Sequence, residues 1–154
     1  MERRLARLSP DDAALFQSLL SELSGEGRSD QNVAMKQLEH LVEKSDNVDT
    51  FDIETDKTDL FPADGKMYSA VWSEAATMRR NSLLAKCLRK ISRPVFVIHG
   101  NSDPHPLEGV LEPLQSANVS FKQYLLPNCG HSPFKERQVH HEFYEQLKRI
   151  VKKT

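Results

Sequence analysis

The chain has 154 residues, of which 28% are charged, and its formal net charge is −1 at pH 7. This size is typical of one domain, and the balanced charge argues against nucleic acid or an anionic membrane surface as a partner. The apolar runs are too short to span a bilayer, and Met1-Glu2-Arg3-Arg4 is not followed by the apolar core that a signal peptide would have. Cys87 and Cys129 form neither a disulfide framework nor a metal motif, so we expect free thiols in a reducing cytoplasm.

Residues 1–92 are predicted to be mostly helical. Ser9 and Pro10 are a strong start signal, because Ser can cap the first turn and Pro suits its first position. A second helix is predicted from Asp30, and a third over residues 66–80. The apolar face of the first of these helices is formed by Leu15, Phe16, Leu19, Leu20 and Leu23, before Gly25 and Gly27 end it. That of the second is formed by Val33, Ala34, Leu38, Leu41 and Val42.

Residues 45–64 are predicted to be a polar loop that packs on another part of the protein, because it contains four large apolar residues. They are Phe51, Ile53, Leu60 and Phe61. A short helical stretch over residues 82–88 then leads into the second half of the chain.

Residues 93–154 change to an alternation of strand and helix. Two β-prone runs, residues 94–104 and 121–131, flank a helix predicted over residues 106–117, which is the pattern of a βαβ unit with parallel strands. Parallel strands end at the same edge of a sheet, where ligand chemistry concentrates. Asp103 and His131 follow the two strands and are 131 − 103 = 28 residues apart. We therefore expect an acid and an imidazole at that edge, as in a base oriented by a carboxylate. A last helix is predicted after Pro133.

The second half of the chain resembles the C-terminal part of an alpha/beta hydrolase. The resemblance lies in the order PVFVIHGNSDPHP, a helix, and then FKQYLLPNCGHSPFKE. The resemblance implies that Asp103 is the catalytic acid and His131 the general base of a Ser-His-Asp relay. It also implies hydrolysis of a small-molecule ester-like or amide-like substrate, without a cofactor. The nucleophile motif Gly-x-Ser-x-Gly occurs nowhere in the chain. We expect this serine to precede Met1 or to belong to another polypeptide, and the isolated chain to lack serine-hydrolase activity.

The number of strands leads to the same expectation. Only two strands are predicted, although the continuous apolar run of residues 95–98 indicates burial on both faces and a neighbour on each side. The predicted fold class is therefore α/β, an incomplete alpha/beta hydrolase fold with a partial parallel sheet. Residues 1–92 would be a helical cap-like section, and residues 93–154 the C-terminal part of the core.

Other interpretations of the site residues remain open at this stage. Asp103 precedes a proline and can be an ordinary turn residue, and His131 can be a polar loop residue. His99 and His105 flank Asp103, so a metal site is conceivable, but no metal-ligand spacing supports it and we expect no metal. Cys129 is next to the site, but we expect it to point elsewhere.

Tyr68, Trp72 and Met78, together with Met67, recur at roughly helical spacing. Core packing is the ordinary explanation for such a stripe. The family resemblance implies a second one, in which these residues line a substrate pocket with an apolar, adaptable wall. His140 and His141 are expected to be surface residues of the last helix.

Two other classes compete with the hydrolase hypothesis. The chain can be a non-enzymatic remnant or interaction module, which would dock on a partner chain or a second copy through its exposed sheet edge. It can also be a metal-dependent hydrolase that uses the His and Asp cluster.

Overall fold

The computed structural model describes residues 1–25, 30–51 and 64–152. These residues form two compact units, which we call the helical unit and the sheet unit. The helical unit contains residues 1–25, 30–45 and 64–81, and the sheet unit contains residues 46–51 and 82–152. The predicted division into a cap-like and a core section stays a prediction.

Four helices begin in the helical unit, and their starts follow the sequence signals. They are α1 (Glu2–Leu5), α2 (Pro10–Ser24), α3 (Gln31–Asp46) and α4 (Gly65–Arg80). The hydroxyl of Ser9 accepts a hydrogen bond from the Asp12 N–H, and Asp64 caps α4 in the same way through the Met67 N–H. The three helices predicted from the sequence are therefore confirmed as α2, α3 and α4. Helix α3 extends to Asp46, so the predicted loop begins later than residue 45.

The core of the helical unit is one apolar cluster at helical spacing. Its members are Phe16, Leu19, Leu23, Ala34, Leu38 and Leu41. Leu15 and Val33 were predicted on the same faces, but they are 44% and 54% exposed. Each lies one residue before a core residue, so the rotation of about 100° per residue turns it out of the buried stripe.

In the sheet unit helices and strands alternate along the chain, and the last element is a helix. Its elements are α5 (Leu83–Leu88), β1 (Val95–Gly100), α6 (Glu108–Ser116), β2 (Phe121–Leu126) and α7 (His140–Val151). Strands β1 and β2 pair in parallel, with Val95 opposite Phe121 and Gly100 opposite Leu126. The predicted βαβ unit and the α/β class are thereby confirmed.

Strand β1 is less buried than its apolar sequence indicates. Within the described ranges its only strand partner is β2, and Val95, Phe96 and Ile98 are half-buried while Val97 is buried. The expected burial on both faces and the expected neighbouring strand on each side are thus not seen among these residues.

The described part of the 45–64 segment belongs to the sheet unit and packs against residues 135–137, so it is packed on another part of the protein as predicted. The Phe51 N–H donates to the Lys135 carbonyl at 3.0 Å, and the Arg137 guanidinium lies 4.9 Å from the centre of the Phe51 ring. Thr50 and Glu136 form an isolated antiparallel bridge. Gly27, Ile53, Leu60 and Phe61 lie outside the described residues. Among the helices that are described, none has the length and apolarity needed to cross a bilayer.

Candidate active site

The two loops that follow β1 and β2 are joined by backbone contacts. The Asn101 N–H donates to the Leu126 carbonyl and the Ser102 N–H to the Cys129 carbonyl, both at 2.9 Å. A Cβ atom at Gly100 would collide with the carbonyl oxygens of Cys129 and Gly130, so only glycine permits this approach. The ends of the two strands therefore bring residues 101–105 and 127–131 together at the carboxyl edge.

Asp103 and His131 are in direct contact at this edge. The Nδ1 atom of His131 lies 2.9 Å from Oδ2 of Asp103. Asp103 is only 7% exposed, whereas the His131 side chain is 53% exposed. A carboxylate can only accept, so Nδ1 carries the proton in this bond. The neutral imidazole then presents a lone pair on Nε2, which is the nitrogen that a general base uses.

The same carboxylate contacts two further histidines. The backbone N–H and the Nδ1 of His105 lie 2.8 and 2.9 Å from Oδ1 of Asp103. Nε2 of His99 lies 3.5 Å from Oδ2. His105 lies between Pro104 and Pro106. Its side chain is 45% exposed, but it is bound to Asp103, because the turn before Pro106 folds its backbone and its ring onto the same oxygen.

The charge state of Asp103 follows from these contacts. Burial alone would raise the pKa of its carboxyl group, but the hydrogen bonds from His131 and His105 outweigh burial and hold that pKa below its ordinary value. Asp103 is therefore an anion at neutral pH, as an orienting carboxylate must be.

Glu136 fixes the loop that carries His131, and sequence analysis missed it. The residue is 1% exposed. Its Oε1 accepts from the N–H groups of Val48 and Gly130 at 2.9 and 2.8 Å, and its Oε2 accepts from the Asp49 N–H at 2.9 Å. The His131 N–H donates to the Asp46 carbonyl at 2.8 Å. A glutamate in a polar loop has no pattern that distinguishes it from a surface residue, so no sequence signal pointed to this role.

Cys129 does not take part in the site as a nucleophile. Its side chain is fully buried, and its Sγ lies 3.4 Å from the Gly130 carbonyl oxygen. Burial, reinforced by the negative charges of Glu136 and Asp103, raises the pKa of this thiol to about 12. Cys129 lies in an apolar cluster with Leu126 and Val139, which agrees with the expectation that it points elsewhere.

Tyr68, Trp72 and Met78 lie on α4 in the helical unit, whereas Asp103 and His131 belong to the sheet unit. The rings of Tyr68 and Trp72 are 6.0 Å apart and line a groove of about 630 Å³ between α4 and α2, which Met78 does not line. Trp72 is 49% exposed, so core packing does not account for it. The assignment of these residues to a substrate pocket stays a prediction.

His140 and His141 differ in their surroundings. His141 is exposed as expected, but the ring of His140 packs edge-on against that of Phe51 at 5.3 Å and is half-buried.

The chain was compared with models of known protein families, with curated proteins and with solved structures, and none of the three comparisons found a match.

Proposed function

We propose that this chain supplies the acid and the general base of a Ser-His-Asp hydrolase of the alpha/beta hydrolase type. The substrate would be a small molecule with an ester-like or amide-like bond. The observation that carries the proposal is the 2.9 Å contact between His131 Nδ1 and Asp103 Oδ2. It lies where two adjacent parallel strands end, with the acid buried and the base open to solvent.

In this mechanism each residue has one role. Asp103 holds the imidazole in the tautomer with the proton on Nδ1 and stabilises the imidazolium that forms later. His131 Nε2 takes the proton of a serine hydroxyl as its oxygen attacks the carbonyl carbon of the substrate, and then returns that proton to the leaving group. The serine and the donors for the oxyanion would come from a complementing polypeptide segment, because no Gly-x-Ser-x-Gly occurs in the chain.

One edge of β1 has no neighbouring strand among the described residues, and it suits such a complementing segment. An apolar groove is lined by residues of β1 and by Leu88, Val110 and Leu114. A strand that added to β1 in parallel would end next to Gly100. Its following loop would then lie beside the loops that carry Asp103 and His131, which is where a nucleophile is needed.

The test is complementation. The DNA upstream of the Met1 codon is sequenced over about one domain's length, and the segment that encodes Gly-x-Ser-x-Gly after a strand-like run is co-expressed with this chain. We expect aryl-ester hydrolysis by the pair and none by the chain alone. We expect His131→Ala to abolish it, Asp103→Asn to lower kcat by about 10⁴-fold as in serine proteases, and His141→Ala to leave it unchanged. Hydrolysis that persists in His131→Ala would refute the proposal.

A second candidate function is a non-enzymatic module that associates through the β1 edge. It is favoured by the same half-buried apolar residues of β1, since an open strand edge is a site for pairing with another chain. It predicts dimers or larger assemblies of the purified chain in size-exclusion light scattering. A monodisperse monomer would count against self-association, and the absence of a nucleophile segment upstream would favour this module over the hydrolase.

A further inference from the structure

We propose that Asp103, His105 and His131 bind one divalent transition-metal cation, for which Zn²⁺ is the best chemical match, and that the bound cation takes His131 out of its base role. The first part depends only on the donor groups. The second part rests on the proposed function.

The donor atoms already converge. Asp103, His105 and His131 each offer one ligand atom, and these atoms all lie within 4.8 Å of one another. Two ligands of one tetrahedral zinc ion, each about 2.1 Å from it, are about 3.4 Å apart. The Nδ1 atom of His105 lies 2.9 Å from Oδ1 of Asp103 and that of His131 lies 2.9 Å from Oδ2, so both rings must move outward for one cation to enter between them and the carboxylate. Both imidazoles are about half exposed and have room to do so.

His99 places a third imidazole beside the same carboxylate. Its Nδ1 lies 2.8 Å from the Gly100 carbonyl oxygen, which can only accept, so Nδ1 carries a proton. Its Nε2 faces the Asp103 carboxylate at 3.5 Å, and only 10% of the side chain is exposed. A metal-binding histidine has the same arrangement, with its other N–H on a carbonyl.

The donor set selects the class of cation. Two neutral imidazoles and one carboxylate suit Zn²⁺ and its first-row neighbours, while Mg²⁺ and Ca²⁺ prefer sites made of oxygen. Three protein ligands with an exposed side leave a fourth position for water, as in open zinc sites.

Coordination would change the tautomer of His131. A metal on Nδ1 displaces the proton there, and the neutral ring then carries its proton on Nε2. An Nε2 that already holds a proton cannot accept one from a serine hydroxyl. The cation would therefore act as a reversible inhibitor of the relay, and its binding would not itself require a nucleophile.

Calorimetric titration of the chelator-stripped full chain with ZnCl₂ tests the proposal. We expect one Zn²⁺ per chain and no displacement by excess Mg²⁺. His105→Ala should bind at least about tenfold more weakly, since even the loss of a partner outside the ligand shell weakens binding by that factor. The exposed His141→Ala is the matched control and should bind like the wild type. Absence of stoichiometric binding, or equal binding by His105→Ala, would overturn the proposal.

Imidazole NMR on the unmodified chain covers the case in which a variant does not fold. Zn²⁺ should shift the ring resonances of His105 and His131 and leave those of His40 and His141 in place. Shifts confined to other histidines would refute the site. These measurements involve no hydrolysis, so their failure leaves the Ser-His-Asp proposal standing, and a failed complementation leaves the metal site standing.

Discussion

Replacement of Glu136 should destabilise the sheet unit more than any surface change. In Glu136→Ala three backbone N–H groups lose a charged acceptor, namely those of Val48, Asp49 and Gly130. The Gly130 amide is buried, so leaving it unpaired costs about 1–3 kcal/mol. The amides of Val48 and Asp49 are partly accessible to water, so each of their lost hydrogen bonds should lower the free energy of unfolding by about 0.5–1.5 kcal/mol. We therefore expect a loss of about 4 kcal/mol in the free energy of unfolding.

The chemistry of the side chain predicts a graded series. Glu136→Gln keeps one oxygen and can still accept some of these three hydrogen bonds. Its free energy of unfolding should therefore fall by about half as much, roughly 2 kcal/mol. Glu112→Ala on the exposed face of α6 is the control and should stay within about 0.5 kcal/mol of the wild type.

Backbone amide exchange in β1 and β2 is the appropriate assay, because the only tryptophan, Trp72, belongs to the other unit. A loss of 4 kcal/mol corresponds to exchange about 10³-fold faster in Glu136→Ala. Strand amides that exchange within about threefold of the wild-type rate would refute the role of Glu136 as the clamp of this loop.

Three further predictions concern the same unit. Gly100→Ala should destabilise it by about 3 kcal/mol, because the new methyl group meets two carbonyl oxygens. Gly109→Ala should stabilise α6 by about 0.5–1 kcal/mol, because a Cβ atom there meets no atom within 4 Å. Equal effects of the two substitutions in thermal melts would contradict this. The native chain should react with a thiol reagent at the exposed Cys87 and not at Cys129 until it is unfolded, and two rapidly reacting native thiols would show the burial to be wrong. Ionised Asp103 stabilises the fold fully above its ordinary pKa of 3.8, and this stabilisation is lost as the pH falls through the lower native pKa. The difference in the free energy of unfolding between the wild type and Asp103→Asn should therefore become smaller in acid. A difference that is constant down to about pH 2 would contradict the lowered pKa.

The contact between Asp103 and His131 could be anticipated because it depends on few conditions. Two β-prone runs around a helix predict parallel strands, and parallel strands place the residues that follow them at one edge. The pairing of β1 with β2 confirms this geometry. The catalytic roles of the two residues stay predictions.

The surroundings of the pair could not be anticipated, because they depend on side-chain rotamers and on distant segments. His105 and His99 converge on Asp103 only through the local turn and the ring orientations. Glu136 meets Val48 and Asp49 across 88 and 87 residues of chain. Periodicity reports which face of an element is apolar, and it contains no information on such contacts between loops.

The separation between residues 46–51 and the loop around Glu136 also has a consequence during synthesis. At about 5–20 residues per second, a ribosome needs roughly 4–18 s to add the intervening 88 residues. Over that time the Glu136 carboxylate is not yet available to the amides of Val48 and Asp49, so the sheet unit can be completed only after residue 136 has been added. Non-local closure of this kind slows folding, and during this delay a chaperone could bind the apolar segments of the nascent chain.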